Sequence, residues 1–126
     1  MGPLQLARLY ALKSVWAATG SRSAGRALVE AMGSADEGVR TAAGMLLVQS
    51  GKRAEPLLAE AIRRGQHLPM VLGIAADIGA FALEPQVRRF TTDPDPQVAR
   101  AAQDALRLLA AQRRPAPGSA GPTPPS

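Results

Sequence analysis

The chain has 126 residues, 46% of them hydrophobic but only 3% aromatic, and it has no cysteine. One helical domain fits that length and composition, whereas a disulfide framework, a thiolate nucleophile, a cysteine zinc site and an aromatic-rich sandwich or barrel do not. The formal net charge of +5 is dispersed, with no run of Arg or Lys longer than two, so it permits acidic or phosphate-bearing partners without selecting one.

Residues 3–19 form the first predicted helix. Leu4, Ala7, Ala11, Leu12, Val15 and Trp16 recur at the three- and four-residue spacing of one helix face. Trp16 reads as a large core or end-cap residue, with a base-stacking or hot-spot role as the alternative. Arg8 and Lys13 interrupt the apolar pattern, which argues against a signal peptide. No apolar stretch reaches the roughly 18–20 residues that span a bilayer. With cysteine absent, a cytoplasmic chain without membrane contact is expected.

A turn at residues 20–23 follows, where Ser21 or Ser23 is placed to cap a second helix ending near Gly33. The third helix, residues 36–50, carries the clearest pattern. Val39, Ala42, Ala43, Leu46 and Leu47 make one buried stripe, Asp36 is the N-cap, and Gly51 is expected in the left-handed stop conformation. Residues 55–64 form the fourth helix, with Pro56 in its first turn and Gly65 behind it. Residues 68–78 are apolar on nearly every side, which predicts a helix covered by several neighbours. Asp77 is the one charge there, and it reads as a helix cap or an Arg partner rather than a catalytic acid, since no second acid lies near it. His67, the sole histidine, precedes that helix without the companions a metal or a nucleophile would need. A short helix is expected at residues 85–90. Asp93-Pro94-Asp95-Pro96 reads as an Asp cap with Pro in the first turn of the last helix, residues 96–112, not as a calcium loop. Residues 113–126, rich in Pro, should be a disordered tail.

The elements repeat. Asp36, Val39, Ala42-Ala43 and Leu47 recur 59 residues later as Asp95, Val98, Ala101-Ala102 and Leu106. A middle copy pairs Met70-Val71 with Ala42-Ala43 and Ile74-Ala75 with Leu46-Leu47, while Ala11-Leu12 and Val15-Trp16 supply the first. Between them, Arg26–Met32 matches Pro56–Ile62. Self-similarity at this period, two helices per unit, is the mark of an α-solenoid.

The pattern Asp-x-x-Val-Arg-x-Ala-Ala, then Leu, then Gly, followed by a helix containing Pro-Leu-Leu, resembles HEAT-like repeats, in the short form of bilin lyases and many bacterial proteins. The resemblance implies an all-α fold: an α-solenoid of antiparallel helix pairs, about 3.5 units over residues 1–112. It specifies function poorly. The expected function is a non-catalytic protein-interaction scaffold that uses no cofactor or metal. The alternatives are nucleic-acid binding on a basic concave face and a subunit of a bilin-lyase-type enzyme.

If the longer helices line the concave face, as the resemblance implies, the side opposite their stripes is the candidate partner groove. At 3.6 residues per turn this selects Thr41, Gly44 and Val48 in the third helix. The repeat offsets carry them to Tyr10, Lys13 and Ala17 in the first helix, to Pro69, Leu72 and Ala76 in the fifth, and to Arg100, Gln103 and Arg107 in the last. Such a groove has a small apolar middle and basic ends, suited to a protein or peptide segment with acidic flanks.

Overall fold

A computed structural model describes residues 2–113, and every regular element among them is helical. The expected Pro-rich tail lies outside the described residues except for Arg113. That residue is instead the last of the final helix, and it ion-pairs with Glu84 at 3.0 Å and stacks over Phe81.

Helix α1 (Pro3–Thr19) starts with proline at the position where a missing N–H costs nothing, and Gly20 stops it at φ 69° while donating to the Trp16 carbonyl at 2.8 Å. α2 (Arg22–Ala31) is capped by Ser21, not Ser23: the Ser21 hydroxyl accepts from the Ala24 N–H at 3.2 Å. α3 (Glu37–Ser50) begins at Asp36, whose Oδ1 accepts from the N–H groups of Gly38 and Val39 at 2.8 and 3.3 Å. Gly51 departs from expectation. Its φ is 61° but its ψ is −141°, outside the left-handed helical region, so the chain does not close there; it continues into a 3₁₀ turn (Gly51–Ala54) that feeds α4 (Glu55–Arg64).

α5 (Leu68–Asp77) is entered through His67, the only described non-glycine residue with positive φ. The His67 ring lies on Gly33, where an added Cβ would come within 2.1 Å of its Cε1, so the histidine closes one loop against another. A 3₁₀ turn (Phe81–Leu83) leads to α6 (Glu84–Arg88), shorter than the residues 85–90 anticipated at its C-terminal end. Asp95 caps α7 (Pro96–Arg113) through the Gln97 N–H at 2.9 Å.

The odd-numbered helices touch in succession, α1 on α3, α3 on α5 and α5 on α7, with the last contact the most extensive. The even ones pack against these and one another: α2 against α1, α3 and α4, α4 against α5, and α6 against α7. Leu28, Met32, Leu47, Leu58, Leu72, Val71, Val87 and Leu109 are the largest fully buried side chains. Burying each large apolar side chain contributes about 1.5–3 kcal/mol. The predicted stripe of α3 is the buried one, through Val39, Ala43, Leu46 and Leu47. In α7 the stripe keeps the register carried over from α3, through Val98, Ala102, Ala105 and the fully buried Leu109, but Leu106, the counterpart of Leu47, is only partly buried.

Candidate functional site

One side of the odd-numbered row carries three grooves that run into one another. Between α1 and α3, Lys13, Trp16 and Ala17 face Gln49, Ser50 and Arg53. Between α3 and α5, a groove of about 380 Å³ is lined by Thr41, Gly44, Met45, Val48 and Gln49 on one wall and Met70, Ile74 and Asp77 on the other. Between α5 and α7, Pro69, Gly73, Ala76 and Asp77 face Ala101, Asp104, Ala105 and Leu108. Gln49 belongs to the first two grooves and Asp77 to the last two, so together they form one trough.

The central groove exists because Gly44 carries no side chain. An added Cβ at Gly44 would sit 2.7 Å from the Met70 Cε, so α5 approaches α3 with only a flexible thioether between them. Met45 stands beside it with 55% of its surface exposed, and Val48 is exposed one turn on. These side chains have no apolar partner on their outer side. A concave, mostly apolar strip with a few polar groups at its rim is the usual form of a binding surface.

The row of residues expected from the helical wheel is met in part. Thr41, Gly44 and Val48 line the central groove, and Lys13 and Ala17 line the first. Tyr10 is exposed on α1. Leu72 is fully buried and Ala76 nearly so, which removes Leu72 from any surface and leaves Ala76 only at the floor of the last groove. The cause is the position of α5. Neighbours α3, α4 and α7 cover it on three sides, and the repeat offsets carried the register of an exposed helix onto a covered one. Arg100, Gln103 and Arg107 are exposed on α7, but the residues of α7 that line the trough lie one position on, at Ala101, Asp104, Ala105 and Leu108. Gln103 is turned to the Thr91 carbonyl at 2.9 Å, and Arg107 pairs with Asp104.

The charge pattern therefore differs from two basic ends. Lys13 and Arg53 stand at the α1 end, where the Arg53 Nη2 also donates to the Ala17 carbonyl at 2.8 Å. At the α7 end the acid without an ion pair among the described residues is Asp77, because Asp104 is held by Arg107. Asp77 is exposed rather than buried, and among the described residues it makes no ion pair. Met45, Gln49, Met70, Ile74 and Leu108 are trough residues the helical wheel did not select. Met45 was the detectable one, as a large apolar residue lying off the stripe of its own helix.

Perturbed carboxylates lie away from the trough. The Val39 and Gly38 N–H groups hold the Asp36 carboxyl below its ordinary range, the former more strongly. The Arg26 guanidinium, donating at 2.7 Å, does the same for Glu60, with Arg64 at 3.3 Å assisting. Among the described residues, no group of three or more His, Asp or Glu side chains is arranged to hold a metal ion, and no helix is long and apolar enough to cross a membrane. Comparisons with protein families, curated proteins and solved structures return no match.

Proposed function

We propose that this chain is a non-catalytic interaction module, a short HEAT-like α-solenoid that takes a partner segment in the trough of its odd-numbered helices. The observation that carries the reading is the central groove, where Met45 and Val48 offer exposed apolar surface above a floor formed by the partly buried Met70 and the buried Ile74. The occupant is an amphipathic helix or extended peptide with large apolar residues at its centre. Its flanks are unlike: an acidic one for Lys13 and Arg53, a basic one for Asp77. A nucleic-acid backbone suits the trough less well, because Asp77 would face phosphate.

Peptides selected from a random displayed library against the chain test the proposal. Selected sequences should share two or three large apolar residues with acid on one side and base on the other. Met45→Glu and Val48→Glu should each weaken them at least tenfold with helical content retained, while Arg100→Glu, outside the trough, leaves affinity unchanged. Binders that keep full affinity for both trough variants would refute it.

A further inference from the structure

The chain has no cysteine and four methionines, so its sulfur is all thioether. Three of the methionines lie among the described residues, at three depths. Met32 is 2% exposed in the core, Met70 is partly buried, and Met45 is 55% exposed. Met45 and Met70 stand on opposite walls of the central groove. Met45 also lies off the buried stripe of α3, which runs through Val39, Ala43, Leu46 and Leu47. A change of polarity at Met45 therefore reaches the groove and leaves the core alone. Thr41 and Gln49 stand one helical turn before and after it, and both line the same groove. A thioether is a weak acceptor for their O–H and N–H groups, whereas a sulfoxide oxygen accepts from such donors readily.

We propose that Met45 is an oxidative modification site at which peroxide closes the trough to its partner. The inference rests on the reading of the trough as a peptide-binding surface. The Met45 sulfur attacks one peroxide oxygen, and an S–O bond forms as the O–O bond breaks. The hydroxide released takes the proton of the transferred oxygen and leaves as water, so sulfur loses two electrons and peroxide gains them. A flexible apolar side chain becomes a polar one. Its oxygen, bonded to water or to Thr41 or Gln49, stands where the partner's large apolar residues would sit, and covering it strips that hydration. Met70 is the slower target because partial burial limits access, and the core shields Met32. Methionine sulfoxide reductases return the sulfoxide to thioether, so the closure is reversible.

Peptides selected from the displayed library are the probe. The full chain is treated with graded hydrogen peroxide, oxygen uptake is mapped by mass spectrometry, and peptide affinity is measured at each dose. Met45 should gain oxygen before Met70 and Met32. Affinity should fall roughly tenfold or more in step with it, with the melting temperature unchanged. Met45→Leu, which keeps the apolar surface without the sulfur, should bind the peptides and hold its affinity at doses that disable the parent. Met70→Leu should stay peroxide-sensitive, and a methionine sulfoxide reductase with a dithiol should restore the oxidised parent. A parent oxidised at Met45 that keeps full affinity, a Met45→Leu chain that loses affinity as the parent does, or a loss that tracks unfolding would each overturn the switch and leave the trough standing. Peptides indifferent to Met45→Glu and Val48→Glu before any oxidation would instead remove the trough, and the switch with it.

Discussion

Three glycines inside helices give a test in which one substitution, Gly to Ala, is predicted to change sign with its surroundings. Replacing a mid-helix glycine with alanine stabilises by roughly 0.5–1 kcal/mol from backbone entropy alone. At Gly73 in α5, nothing lies within 4 Å of the new Cβ, so that gain should appear in full. At Gly44 the Cβ would meet the Met70 Cε at 2.7 Å, and the next atom, the Ile74 Cδ1, is 3.8 Å away. A thioether terminus bordering an open groove swings aside at little cost, so Gly44→Ala should be neutral to stabilising. Gly25 in α2 is different. Its Cβ would lie 2.5 Å and 3.1 Å from the two Leu57 methyls and 3.2 Å from the Trp16 Cδ1. Leu57 is a buried core residue with little room to retreat, and overpacking of this kind costs about 1–3 kcal/mol. Net destabilisation of about 1 kcal/mol is expected, which places Gly25→Ala about 2 kcal/mol below Gly73→Ala. For a domain of this size, each kcal/mol moves the melting temperature by about 4–8 °C. Thermal and urea unfolding of the three variants decide the matter. A Gly25→Ala protein as stable as Gly73→Ala would mean that α1, α2 and α4 do not approach as described.

Leu46→Ala and Leu109→Ala, both at closely packed sites, should each cost about 2–5 kcal/mol by urea unfolding, and Leu106→Ala distinctly less because its side chain is only partly buried. A larger loss at Leu106 than at Leu109 would contradict the observed phase of α7. Acid should weaken the fold through Glu60: its folded pKa lies below its unfolded one, so its contribution is complete above about pH 4.3 and is lost as pH falls through the folded value. Glu60→Gln should be less stable than the parent near neutrality and converge with it in strong acid; parallel pH–stability curves would count against the Arg26 pairing.

Helices whose ends carry chemical punctuation could be located from sequence alone. Asp36, Ser21, Pro56 and Asp95 each bring a group that satisfies or removes an orphan N–H, so α2, α3, α4 and α7 start where a reader of residues would start them. Rotation about the helix axis was harder. In α3 the stripe and its reverse are chemically distinct, and Thr41, Gly44 and Val48 were found at the groove. In α5 nearly every residue is apolar, so composition carries no information on which side faces a neighbour, and Leu72 was misplaced for that reason. In α7 the buried stripe, Val98, Ala102, Ala105 and Leu109, was placed correctly, but the groove runs along its flank at Asp104 and Leu108 rather than along the opposite side at Gln103 and Arg107, because α7 meets α5 on that flank. The trough also depends on how close α3 and α5 come, a distance set by Gly44 and Met70 across 26 positions, which no local pattern encodes.

Two of the hydrogen bonds that finish helices reach back along the chain by the same interval. Arg53 serves the Ala17 carbonyl at the end of α1, and Gln112 serves the Ala76 carbonyl at the end of α5 at 2.6 Å, both from 36 residues downstream. For a chain leaving a ribosome this imposes an order. The Ala17 carbonyl must wait on water until the later segment has been made, a delay of about 2–7 s at bacterial and eukaryotic synthesis rates, whereas the Ala76 carbonyl is already served by the Gly79 N–H at 3.0 Å and gains Gln112 as a further donor. The C-terminal turn of α1 therefore stays open for an interval after its own residues have emerged, and the Gln112 tie to the end of α5 forms only when synthesis of the helical region is all but over.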